Sequence, residues 1–315
     1  MAVIRINASP SGLSLHHSPQ PVPARLREAA TQPGLVVILV HGYKYFPGKP
    51  EVCPHNKIFG DHSNGWPSQL GFVDNSVNNG LCIALGWQAR GTLKSMYHRA
   101  QRLGKSLAAL IVLLRKQNPA RPIHLVAHSL GSEACLCALP HLFAGDVARV
   151  VLMTGASYAS RAARLLDTPA GRSTEVLNVT SRENDLFDAM FEHLVPADIP
   201  NDRTLGQGLA AANAVTLQLD CDKTLARLRN LGFDIAPSQR RICHWSSYTR
   251  PGVMQFYDSF LRGPETLTLR TIASAASGDC APRWSRLTPV LPAFSGRRGM
   301  VLRPGSDSLG SAPQP

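Results

Sequence analysis

The strongest pattern in this chain is a series of short, unbroken apolar runs rich in β-branched residues, separated by segments whose apolar residues recur at helical spacing. The run from Gly34 to Val40 ends in His41-Gly42, and Leu81 to Trp87, Ile123 to Ala127, Val147 to Thr154 and Glu175 to Thr180 follow it. Strands covered on both faces need such runs, because neither side of them meets water. Between the second and third, Met96, Ala100, Leu103, Leu107, Leu110, Ile111 and Leu114 fall at three- and four-residue steps, predicting a long amphipathic helix stopped by Pro119 and Pro122. Further helices are expected from about Ser132 to Leu142, around Leu225 to Leu231 and around Val253 to Leu261. Alternating strands and helices imply parallel pairing through right-handed crossovers, with helices on both faces of one sheet.

The remaining segments are less regular. Residues 1–33 read as an N-terminal segment in which Val3, Ile4 and Ile6 suggest a short strand before a Ser-, Pro- and His-rich connection. Phe46 to Gly80 reads as a long loop or excursion at one edge of the fold. The core domain is placed at 34–280, with a cap-like insertion over about 186–236 and a strand near Arg241. Residues 281–315, turning to Pro, Arg, Gly and Ser, read as a largely disordered tail.

Composition narrows the class. Apolar residues make up 44% and charged residues 17% of 315, enough for one large core and too little charge for a disordered chain. The formal charge is +12, yet the basic residues form no recognisable nucleic-acid module, so no nucleic-acid partner is expected. Much of the excess lies between Gln88 and Ser132, at Arg90, Lys94, Arg99, Arg102, Lys105, Arg115, Lys116 and Arg121. A solvated helix face accounts for it; attachment to an anionic membrane surface is the lesser reading. Seven scattered cysteines show no CxxC pair, so neither a disulfide framework nor a metal site is expected. Met1 to Ser11 has no signal-peptide pattern and no stretch approaches a membrane span, which reads as a cytoplasmic protein.

The candidate chemistry centres on Ala127-His128-Ser129-Leu130-Gly131, which fits the nucleophile-elbow pattern with Ala in place of the first Gly, between a strand and a helix. Small residues two before and two after the serine let the chain turn sharply enough to expose the hydroxyl above the sheet. A hydroxyl needs a base, and the base needs an orienting group. Of the two histidines after the fifth run, His193 follows it too closely, leaving His244 as the expected base. For the acid, Glu183, Asp185 and Asp188 compete in the segment after Thr180; Asp185 lies at the usual reach, Glu183 is second, and Asp188 falls where a helix begins. The backbone N–H groups of Tyr43 and Leu130 are placed to form an oxyanion hole. His41 reads as a structural hydrogen-bonding residue. Trp66, Leu186, Phe187, Met190 and Phe191, with Tyr43, are candidates for lining an acyl pocket, ordinary core packing being an equal reading of each.

The set Val40-His41-Gly42-Tyr43, Gly86-Trp87 with Tyr97 and Arg99, and His124 through Gly131 resembles the α/β-hydrolase superfamily, particularly bacterial esterase-like members, over roughly Gly34 to Gly263. The resemblance implies the α/β-hydrolase fold, a mostly parallel eight-stranded sheet, and triad roles for Ser129, Asp185 and His244. It implies hydrolysis of a small-molecule carboxylic ester without a cofactor. An acyltransferase using the same acyl-enzyme, or a binding protein that keeps the fold without catalysis, are the rival readings.

Overall fold

Alternate residues of Val36–Val40 part to opposite sides of a sheet: Val36, Ile38 and Val40 enter one hydrophobic core, Val37 and Leu39 the other, all at 1% exposure or less. This strand is β3 of the computed structural model, which describes residues 3–72, 80–263, 265–276, 278 and 280–287. The others are β1 (Val3–Ser9), β2 (Gly12–Leu15), β4 (Leu81–Trp87), β5 (Ile123–His128), β6 (Arg149–Met153), β7 (Glu175–Thr180) and β8 (Ala214–Gln218). They form one eight-stranded sheet in the order β2-β1-β4-β3-β5-β6-β7-β8. Every neighbouring pair is parallel except β1 and β2. The fold is the α/β-hydrolase fold.

One face is covered by the helices Val22–Ala29, Leu93–Gln117 and Leu130–Ala138, and the other by Asp222–Asn230, Val253–Arg262 and Leu269–Ala275. The long helix starts where Thr92 caps it, its hydroxyl accepting from the Ser95 N–H. Its buried stripe contains every position the spacing predicted, with Tyr97, Gly104 and Ala108 added. Gly104 lies against the backbone of Cys137, where a Cβ would come within 2.7 Å, so the long helix and the helix after Ser129 pack closely.

Three expectations are corrected. Residues 3–33 are no separate segment: β1 pairs with β4 in parallel and turns back into β2, which extends the sheet. The insertion over 186–236 does not stand as a unit, since β8 lies within it and pairs with β7. No strand forms near Arg241; that position belongs to a loop that delivers His244. The basic cluster is also partly structural. Arg121 turns inward and donates to the carbonyls of Ala29, Pro33, Gly34 and Leu35, and Arg115 to those of Pro119, Arg121, Gly145 and Asp146. The expected tail lies outside the described residues from 288 onward. None of the seven cysteines takes part in a disulfide. Among the described residues no helix is long and apolar enough to cross a membrane.

Candidate active site

Ser129 stands between β5 and the helix Leu130–Ala138 with φ 53° and ψ −124°, a backbone conformation that L residues rarely adopt and that costs about 1–3 kcal/mol. Hydrogen bonds on both sides hold it there: Ser129 N–H donates to Met153 O at 3.1 Å, and Ala156 N–H to Ser129 O at 3.0 Å. The small residues of the elbow are required by contact. A Cβ on Gly131 would lie 2.4 Å from Val40 O, and one on Gly42 would lie 2.7 Å from the Ser129 Cβ. The Ser129 hydroxyl makes no hydrogen bond to a described residue and lines a cavity of about 370 Å³.

The two N–H groups expected of an oxyanion hole are free of partners among the described residues. Leu130 opens a helix, so its N–H has no carbonyl a turn earlier. Tyr43 N–H is aimed by its neighbour: His41 Nδ1 donates to Gly42 O at 2.8 Å, and in a trans peptide the following N–H points the opposite way. His41 is therefore structural, as expected. Its Nε2 accepts from Trp87 N–H at 3.0 Å, its carbonyl from the Trp87 indole at 2.9 Å, and burial pushes its pKa down to about 3.

His244 enters the same cavity from the loop before Ser246–Thr249. Its carbonyl accepts from His128 Nε2 at 3.0 Å and from the Thr154 hydroxyl at 3.3 Å, while Cys243 N–H donates to Glu183 O at 2.9 Å. Its ring stacks on Phe187 with centroids 4.7 Å apart. Burial, then the His128 ring and Lys44, hold its pKa well below the usual histidine range, so at neutral pH it is an uncharged imidazole able to accept a proton.

The side chain that meets His244 Nδ1 is one residue from the expected Asp185. His244 Nδ1 donates to the side-chain oxygen of Asn184 at 2.6 Å. A carboxamide oxygen can only accept, so Nδ1 carries the hydrogen and Nε2 keeps its lone pair. Asn184 Nδ2 in turn donates to Asp188 Oδ1 at 3.0 Å. Asp185 does not reach His244. Its oxygens take Arg182 at 3.2 Å and the Trp284 N–H at 2.6 Å, because the turn Arg182–Asn184 ends on Asn184 and Asp185 begins the helix Asp185–Leu194, facing the C-terminal segment. Glu183 is committed to Arg250 at 2.6 Å in a pair with both side chains buried, which ties the His244 loop to the end of β7. The missed residue carried one usable signal: Asn184 and Asp188 are a helical turn apart, so they share a face.

No protein-family model matches this chain, and neither does any curated protein. Among solved structures it is similar to the product of the gene lin2722 from Listeria innocua, with 12% identity, a TM-score of 0.43, and coverage of 73% of this chain and 95% of that one.

Beyond the polar groups the cavity is apolar, walled by Leu93, Ala156, Phe187, Met190, Phe191 and Leu194, with Tyr43, Tyr45 and Trp245 around them. Phe187 and Met190 thus line the cavity. Leu186 is 38% exposed and outside the cavity wall, since it points away on the same helix. Trp66 is buried in the core against Phe59 and Tyr248. Among the described residues no group of three or more His, Cys, Asp or Glu is disposed to hold a metal ion.

Proposed function

We propose that the protein is a serine hydrolase that cleaves carboxylic esters through an acyl-enzyme on Ser129. The observation that carries this reading is the shared cavity: a strained, unbonded serine hydroxyl, a neutral histidine with its Nδ1 hydrogen fixed on Asn184, and two unpaired N–H groups. Ser129 Oγ attacks the acyl carbon while His244 Nε2 takes its proton. The oxyanion is received by the N–H groups of Tyr43 and Leu130, each worth about 3–4 kcal/mol of barrier in comparable sites. His244 then protonates the departing alcohol, and water attacks the acyl-enzyme by the reverse proton path.

Apolar walls suit the acyl chain. Each methylene taken from water contributes about 0.8 kcal/mol, roughly a fourfold gain in kcat/KM per carbon until the cavity is full. A panel of p-nitrophenyl esters of increasing chain length, run on the wild type and Ser129→Ala, tests both parts. Hydrolysis that rises with chain length and vanishes in the variant is expected; equal hydrolysis by both proteins overturns the proposal.

A further inference from the structure

Asp188 is an acid with an unusual position. One oxygen accepts from Asn184 Nδ2 at 3.0 Å; the other is buried without a hydrogen-bond partner among the described residues. A Cβ on Gly206 would fall 2.0 Å from that second oxygen, so the backbone of Gly206 closes over the carboxyl and a side chain there would have to displace it. Asp188 is nevertheless one of the residues lining the cavity that holds Ser129 and His244. A stripped carboxyl of this kind is costly to keep unless it is used.

We propose that Asp188 is a positioning residue which, when ionised, fixes the Nδ1–H tautomer of His244 through the Asn184 carboxamide and supplies the negative charge that Asn184 lacks. The inference rests on the functional reading above. Its logic is donor counting: an ionised carboxylate only accepts, so Asn184 must turn its NH2 to Asp188 and its oxygen to His244, leaving Nε2 as the base. When Asp188 binds a proton from solvent, its O–H can donate to the Asn184 oxygen. The amide then turns its NH2 toward Nδ1, the ring hydrogen moves to Nε2, and His244 cannot accept from Ser129. The carboxylate also stabilises the imidazolium formed during acylation, across a low-dielectric gap.

The surrounding charges leave this proton in the physiological range. Burial, and then Asp185 on the same helix, raise the Asp188 pKa from 3.8 to about 7; Asn184 and Arg283 act in the opposite direction, and Glu192 adds to the rise. Arg283 is itself paired with Glu192, and Arg182 with Asp185 and the Gly206 carbonyl. His244 is linked to Asp188 through Asn184, Lys44 lines the same cavity, and the turn Leu205–Gln207 carries no ionisable side chain.

The test is the pH dependence of fluorophosphonate labelling of Ser129, in full-length wild type, Asp188→Asn and the exchange variant Asn184→Asp/Asp188→Asn. Labelling of the wild type is expected to fall as pH drops through about 7. Asp188→Asn should lose that limb and label about a hundredfold more slowly, since an amide presents either face to Asn184 and carries no charge. The exchange variant, which returns a carboxylate to the chain, should recover to within about tenfold of wild type. A limb still in place in Asp188→Asn, or an exchange variant as slow as the single one, overturns the proposal. The 15N shifts of His244 in Ser129→Ala give a readout free of reactivity. They should switch tautomer near the same pH and stop switching when Asp188→Asn is added; no switch overturns the inference. Absence of label from wild-type Ser129 instead overturns the functional reading.

Discussion

His244 Nδ1 hydrogen-bonds to Asn184 at 2.6 Å, while the neighbouring Asp185 is turned toward Arg182 and the Trp284 N–H. The two adjacent residues therefore have separable roles. Asn184→Ala should lower kcat by about a hundredfold or more, because the imidazole loses the acceptor that fixes its tautomer. Asp185→Asn should act mainly on the melting temperature, by leaving the buried Arg182 guanidinium without its counter-charge. Steady-state kinetics and thermal unfolding on the two variants separate these effects; the reverse pattern would return the orienting role to Asp185.

Gly42 tests the proposed oxyanion hole. A Cβ there would meet the Ser129 Cβ at 2.7 Å and His128 O at 3.0 Å, so Gly42→Ala must displace the peptide that carries the Tyr43 N–H. A loss of about 10²–10³ in kcat is expected, with a far smaller change in KM, since the oxyanion contact matters most in the transition state.

The raised pKa of Asp188 also has a stability consequence. In the unfolded chain the carboxyl titrates near its ordinary 3.8, in the folded chain near 7, so between these values the folded state binds the extra proton. Stability from this group is present at low pH and is lost as pH rises from about 4 to about 7. Asp188→Asn should therefore raise the melting temperature at pH 8 and change it little at pH 4, while lowering activity. Calorimetry at the two pH values reads the difference.

Arg161 supports the helix behind Ser129. Its guanidinium meets the fully buried Glu133 at 2.7 Å, and Glu133 also accepts from Ser157 at 2.6 Å. Arg161→Met leaves a buried carboxylate without its counter-ion and should cost about 3 kcal/mol in chemical denaturation. Glu133→Gln/Arg161→Met should recover part of that loss, because the neutral amide tolerates burial better.

How far the sequence could be read follows from how each residue announces itself. The strands from Val36 to Thr180 are marked by continuous apolar runs, and Ser129 by small neighbours whose need is steric, so both were legible. β8 was not: Ala214, Val215 and Thr216 are only half-buried and the strand is short, giving a mixed pattern that looks like loop. His244 was found by chain order, although no strand precedes it. Asn184 is not legible because chemistry favours a carboxylate beside a catalytic histidine, and a carboxylate stands next to it. The direction a side chain takes at the end of a 3-10 turn is set by one residue of register, which composition and spacing do not encode. Trp66 takes the second of its two readings, since a large aromatic ring fits a core as well as a pocket wall.

The most direct measurement is peptide mapping by mass spectrometry after fluorophosphonate treatment of the wild type and Ser129→Ala. A single adduct on the peptide containing Ser129, absent from the variant, is expected. An unlabelled Ser129 in folded wild-type protein, or labelling undiminished in Ser129→Ala, would contradict it.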